Sequence, residues 1–336
     1  MKSPITGKEM QLLRERRTLT YRKEEFEVVF HYFHCPDSGE SFTTTALDEI
    51  NIKQVHNQYR ATHNLPFPDD LLRIREKYQL SYKKMSEILG FGINTYRKYE
   101  SGEIPSLANA KLILLADDEE EFRKLANYCN AIDNKTRDKI ISRTAQLINE
   151  RKQNQQNQFL LEYVFGGTQR DAFTGFTRPS LEKLTEIVVY FAKKMNPWKT
   201  QLNKLLFYTD FAMYSQHCQS ISGLRYRAIN MGPVPINFDS LYEYLANNNR
   251  IEIEYSVFPD GNTGEKFKPT SGNSFNPENF SEAELDILKK IESQFKNATT
   301  RDIVDISHRE NAWKENHPTR NLIDYSYGFE LKGVVG

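Results

Sequence analysis

The sequence carries no net charge, few cysteines and no long apolar run, and each shortage closes off a class of protein. Lys+Arg and Asp+Glu both number 45, so the chain as a whole has no field that would draw it to nucleic acid or membrane. Any binding to DNA must come from a local patch. The three cysteines, Cys35, Cys129 and Cys218, are odd in number and far apart, which fits a reducing compartment better than a disulfide framework. Lys8, Arg14, Arg16 and Arg17 near the start accompany no apolar segment long enough for a signal peptide or a membrane span. The expectation is a cytoplasmic protein with no membrane partner. No internal repeat is evident.

Chemical machinery is also scarce. His308 and Glu310, the pair that most invites an acid/base or metal reading, stand two apart on an expected helix, point in different directions, and belong to no zincin, triad or phosphate-loop pattern. No catalytic residue, metal or cofactor is expected, and the chain is not read as an enzyme.

What is present is globular. Of the 336 residues 38% are hydrophobic and 27% charged, enough to bury cores, and the length predicts two or three domains. Near the start, Phe26, Val28, Phe30 and Tyr32 alternate as a half-buried strand does, with Thr18 to Tyr21 placed to pair with it. This hairpin is framed by Ser3-Pro4-Ile5-Thr6-Gly7 and Cys35-Pro36-Asp37-Ser38-Gly39-Glu40, which have the spacing of two zinc knuckles, C-x-x-C-G twice. Only Cys35 keeps a thiol. Ser3, Thr6 and Ser38 are poor zinc ligands even with His31 and His34 nearby, so a finger-like fold held by its Phe/Tyr/Val core is expected instead.

Residues 46 to 64 read as a helix and connector ending at Pro66-Phe67-Pro68. Between Leu71 and Pro105 three helices follow closely: one carrying Leu72, Ile74 and Arg75, a second from Tyr82 to Leu89 capped by Ser81, and a third from Ile93 to Glu100. Gly90-Phe91-Gly92 makes the tight turn between the last two, and Ser101-Gly102 with Pro105 stops the third. A recognition helix must show one face to its neighbours and the other to the major groove. Tyr96 and Tyr99 suit the buried face; Asn94, Thr95, Arg97 and Lys98 then project outward, with Lys83 and Lys84 placed for the flanking backbone. Arg75 and Glu100 read as an internal ion pair. A three-helix interaction module with a solvated basic face is the alternative.

This stretch, Arg75 through Pro105 with Leu80-Ser81, Leu89-Gly90 and Tyr99-Glu100-x-Gly102, resembles the Xre-type helix-turn-helix, and in particular that of the MqsA-like antitoxins, in which a two-knuckle finger comes first. Tyr82 stands where the family pattern has Gln.

From Asp133 to Gln158 a polar helical connector is expected, with Ile141, Ala145 and Ile148 at helical spacing, before the exposed Gly166-Gly167-Thr168 loop. Four segments result: 1–64 finger-like module and connector, 65–128 helix-turn-helix, 129–172 helical linker, and 173–336. In the last, Ser180 caps a helix striped by Leu184, Ile187, Val188 and Phe191. The next, from about Thr200, carries Leu202, Leu205, Leu206, Phe207, Tyr208, Phe211 and Tyr214 around most of its circumference and is the expected central helix. Lys204 and Asp210 on it need a partner or a ligand. A strand over Leu224 to Ala228, a turn over Met231 to Pro235, a helix with Leu241, Tyr244 and Leu245, and strands at Ile251 to Tyr255 and Phe267 separated by Asp260-Gly261 follow. Ser281 and Glu284 form a capping box, and the last helix runs from Asp302 to about Glu315 with Trp313.

Phe173-Thr174-Gly175-Phe176, Leu202 to Phe211, Gly223-Leu224-Arg225-Tyr226, Gly232-Pro233-Val234-Pro235 and Ser307-His308-x-Glu310 together resemble the Panacea, or SocA-like, domain. That resemblance implies a mainly helical domain that neutralises a toxin, encoded nearby, by direct binding, while an attached DNA-binding domain represses the operon. A proteolysis adaptor delivering its bound partner to a protease is the alternative within the group. The fold class expected overall is α+β, predominantly α-helical. Partners would be the toxin and operator DNA, with a homodimer on paired half-sites. Lys204, Tyr208, Arg225, Tyr226, Pro233 and His308 are the candidate toxin contacts; the alternative for Tyr208, Arg225 and Tyr226 is a satisfied polar layer, and for His308 a bond to a backbone group or Asp305.

Overall fold

The computed structural model describes residues 1–153, 161–259, 261–272 and 274–334. It is α+β, 52% helical and 15% strand. The chain divides into two compact units that interleave in sequence: Val55–Phe159 is one, and Met1–Gln54 with Leu160–Gly336 is the other. The boundary falls within helix α1 (Thr45–Thr62).

The middle unit is helical: α2 (Pro68–Lys77), α3 (Tyr82–Ile88), α4 (Thr95–Glu100), α5 (Leu107–Leu115), α6 (Glu119–Tyr128) and α7 (Asn134–Gln153). Its core gathers Leu71, Ile74, Met85, Ile88, Tyr96, Ile113 and Phe122, with Tyr78 stacked on Phe122 at 3.8 Å between ring centroids. Local chemistry sets the ends. Ser81, Ser106 and Asp118 each accept backbone N–H groups that the first turn of α3, α5 and α6 leaves orphaned. After α3, Gly90 takes a left-handed φ of 70°, and Phe91 N–H returns to Ser86 O at 2.8 Å. This is the Schellman closure that turns the chain from α3 toward α4. The expected connector is less detached than its polarity implied, because Ile132 and Ile140 enter the core and Arg143 Nε donates to Lys77 O at 3.0 Å. Asn154 to Gln158 lie outside the described residues.

In the other unit, β1 (Gln11–Tyr21) and β2 (Glu24–His34) pair in an eleven-residue register from Gln11↔His34 to Tyr21↔Glu24, with β3 (Ser41–Phe42) beside the end of β2. The Thr18 to Tyr21 pairing expected from sequence is the closed end of this longer hairpin. Arg22 and Lys23 form its tip, both at positive φ, as the right-handed twist of the strands demands. Along the rest of its outer edge β2 meets side chains, not a strand: Asn51 and Gln54 of α1 each accept from and donate to the backbone, at His31 and Val29 respectively, over 2.8 to 3.0 Å. Two amides thus complete the ladder of an otherwise open edge.

The remainder comprises α8 (Leu181–Met195), α9 (Lys199–His217), β4 (Tyr226–Ile229), β5 (Gly232–Pro235), α10 (Phe238–Asn247), β6 (Ile251–Val257), β7 (Thr263–Pro269), α11 (Glu282–Phe295), α12 (Thr300–Ser307) and α13 (Asn311–Asn316). Helix α9 is central, buried without a break from Leu202 to Tyr214. Ser180 and the Ser281/Glu284 box cap α8 and α11 as their spacing predicts. The hairpin belongs to this unit, with His31 edge-on to Phe329 at 4.6 Å.

Two expectations are corrected. Met231 to Pro235 is not a free turn, since Gly232–Pro235 pairs with β4. Ile236 N–H donates to Arg225 O, so by the period of two the prolines at 233 and 235 occupy positions whose missing N–H groups would face away from β4. The last helical stretch is two helices, broken at His308 to Glu310, with Glu310 as N-cap of α13. Asp260, half of the expected turn, lies outside the described residues, but β6 and β7 pair across it as a hairpin.

Candidate functional site

On the middle unit, α4 carries the expected division of faces. Tyr96 and Tyr99 are buried, Tyr96 donating its hydroxyl to Leu71 O at 2.8 Å, while Asn94, Arg97 and Lys98 are exposed and Thr95 is half-buried. Arg75 Nε donates to Glu100 Oε1 at 2.6 Å, joining α2 to α4 as the sequence predicts. Lys83 is exposed. Lys84 is instead tied to Glu87 at 2.8 Å, so its charge is partly answered before any phosphate arrives. Tyr82, the departure from the family's Gln, lies under the Arg97 guanidinium at 5.6 Å and restricts where that cation points. Ile93, 61% exposed, adds an apolar contact at the start of the same face.

At the paired knuckles the four ligand positions do converge. Gly7 and Gly39 both take left-handed φ, and their N–H groups close each turn on Ser3 O and Cys35 O at 2.9 Å. Inside the turns Thr6 Oγ1 sits 3.3 Å from Cys35 Sγ, and hydrogen bonds from the Ser3, Ser38 and Thr6 hydroxyls hold the Cys35 thiol down at about 6. Three hydroxyls and one thiol do not fit zinc, which takes thiolate, imidazole or carboxylate, and among the described residues no group of three or more His, Cys, Asp or Glu could hold a metal. The knuckle shape is kept with hydrogen bonds where metal bonds would be.

The candidate toxin contacts separate into an inside and an edge. Lys204, Tyr208 and Tyr226 have no exposed surface and cannot touch a partner as they stand. The helical pattern placed them on a central helix or strand but not the depth of that burial. Tyr208 donates to Glu310 Oε1 at 3.1 Å, and Glu310 also accepts from Lys332 N–H and Gly333 N–H. Asp210 accepts from Ile221 N–H, Ser222 N–H, Ser222 Oγ and Tyr226 Oη, all within 2.9 Å, fixing the loop between α9 and β4; burial still pushes its carboxyl up. Lys204 Nζ donates to Pro233 O at 2.8 Å, and burial alone lowers it to about 7. Gly232, at φ 96°, makes room for it: a Cβ there would stand 2.6 Å from Lys204 Cε.

Pro233 is buried and Arg225, largely covered, pairs with Asp171 at 2.7 Å. His308 stacks face to face on Trp313 at 3.9 Å; burial, then Lys204, lower its pKa. Its Nε2 is buried without a hydrogen-bond partner among the described residues. Sequence reasoning missed Arg16, Arg227 and Arg320, which share one cleft with Phe173, Leu322 and Tyr327. They come from three distant stretches, and no spacing signals them.

Two family profiles match parts of the chain. The family profile described as "Antitoxin component of bacterial toxin-antitoxin system, MqsA" matches residues 1–123, and "Antitoxin SocA-like, Panacea domain" matches residues 202–314. The chain is similar to antitoxin MqsA of Escherichia coli (strain K12), 30% identical over 95 residues, which are 27% of this chain and 72% of that protein.

Proposed function

Because the chain belongs to the MqsA antitoxin family and joins that amino-terminal part to a SocA-like Panacea domain, we propose that it neutralises a cognate toxin through its carboxy-terminal unit and represses its own operon through α3 and α4. The observation that carries the reading is α4 itself: Asn94, Arg97 and Lys98 stand outward over a buried Tyr96/Tyr99 face, the arrangement that offers an adenine reader, a guanine reader and a phosphate contact to one major groove. Lys83 supplies the flanking phosphate contact, and Thr95 and Lys84 lie at its margins. The toxin is encoded beside this gene, and two copies of the chain occupy half-sites about one helical turn apart. The work in this reading is binding, and a reducing compartment such as the cytoplasm suits the three cysteines, which are free. The family matches give the adaptor alternative no separate support.

Co-expression with the neighbouring gene tests the first half, and retardation of the gene's own upstream DNA tests the second. Growth rescue together with a sequence-specific shift is expected. A chain that gives neither has another function.

A further inference from the structure

We propose that the toxin docks in the cleft lined by Arg16, Phe173, Arg227, Arg320, Leu322 and Tyr327, and presents to it a segment in which carboxylates alternate with apolar side chains. The inference rests on the antitoxin reading above and names where that binding occurs. The cleft measures about 730 Å³, and a second of about 390 Å³ continues from it past Arg227 and Leu322. Two of its three guanidiniums have no acidic partner among the described residues. Arg227 and Arg320 are exposed and form no ion pair among the described residues, whereas Arg225 nearby is committed to Asp171 and Arg16 to Glu27. The cleft is also built, not a chance gap between loops, because Ala228 N–H donates to Asn321 O and Ile323 N–H to Tyr226 O, stitching the 321–323 segment onto β4.

Unpaired guanidiniums in a chain of zero net charge ask for carboxylate or phosphate. The surroundings favour carboxylate on a protein. Asp324 lines the same cleft and Glu315 holds the Tyr327 hydroxyl at 2.6 Å, so a continuous run of phosphates would meet like charge, while a peptide can space its acids to miss them. Phe173, Leu322 and Tyr327 then cover apolar side chains between those acids.

The test uses the full chain and the product of the adjacent gene as probe. R227E/R320E lowers its affinity about a hundredfold and abolishes growth rescue; R227Q/R320Q loses about tenfold and flattens the fall of affinity with added salt. Shift of the upstream DNA is unchanged, and a thermal melt and near-ultraviolet circular dichroism like those of wild type show that the unit carrying the substitutions is folded. Wild type that binds and variants that bind equally well overturn the cleft while leaving the antitoxin reading intact. Wild type that does not bind the neighbour overturns both. Variants that lose DNA affinity but keep the toxin assign the cleft to nucleic acid and overturn the proposal.

Discussion

Lys204 and Asp210 sit six residues apart on one buried helix and meet opposite provision. Asp210 takes four donors. Lys204 has the single carbonyl of Pro233, and its charge is correspondingly poorly compensated. Its folded pKa of about 7 lies below the unfolded value of about 10.4, so between those limits the unfolded chain binds more protons and stability rises with pH. Below about 7 both states are charged and the burial cost is felt in full. The expected outcome is that Lys204→Met gains most in melting temperature over wild type near pH 6, with the gap closing steadily toward pH 10. The carbonyl left bare costs about 1–3 kcal/mol at every pH and does not affect that slope. A gap that widened with pH would mean that the fold raises the Lys204 pKa and holds the side chain in its charged form. The sequence made both charges conspicuous because their neighbours are apolar at every helical angle. It could not say that one is satisfied and the other barely so, since Pro233, Ser222 and Tyr226 reach them through the fold.

Among elements, the knuckles separate geometry from chemistry. Their glycines, turn closures and spacing are those of a metal site, and only the donor atoms differ. Ser3→Cys, Thr6→Cys and Ser38→Cys together with native Cys35 are expected to install one tetrahedral zinc per chain, measurable by elemental analysis of the dialysed protein, and to raise the melting temperature in a chelator-reversible way. Wild type treated alike should carry none. A triple variant that bound no zinc would show that the four positions do not converge to about 2.3 Å of a common centre. Elements whose signal is local were legible in this chain: Ser81, Ser180 and Ser281 mark helix starts, Gly90 a helix end, and alternating Phe26 to Tyr32 a strand. The β4–β5 pairing was not, because Gly232-Pro233-Val234-Pro235 reads as a breaker until the prolines are seen to fall on the unpaired side. Nor were Asn51 and Gln54, which look like an ordinary polar helix face and acquire their role only where β2 lies against them.

For the whole molecule, the interleaving of the two units was invisible in the sequence. Contacts such as His31 on Phe329 join residues at opposite ends of the chain, and no periodicity records them. The residues proposed to read DNA lie in the middle unit and the cleft in the other, so the two functions should separate by mutation. Arg97→Ala costs about 1–3 kcal/mol in operator affinity if the guanidinium reads a base, and relaxes specificity at that base pair alone. Lys98→Ala, as a phosphate contact, weakens all duplexes alike and lowers the salt slope by about one. Neither touches the core, since both side chains are exposed and Tyr96 and Tyr99 are left in place. The double variant should therefore derepress a reporter fused to the upstream region while still rescuing growth from the neighbouring gene, the mirror image of R227E/R320E. Loss of rescue in the DNA-face variant would tie neutralisation to operator binding, and the two units would then act as one device.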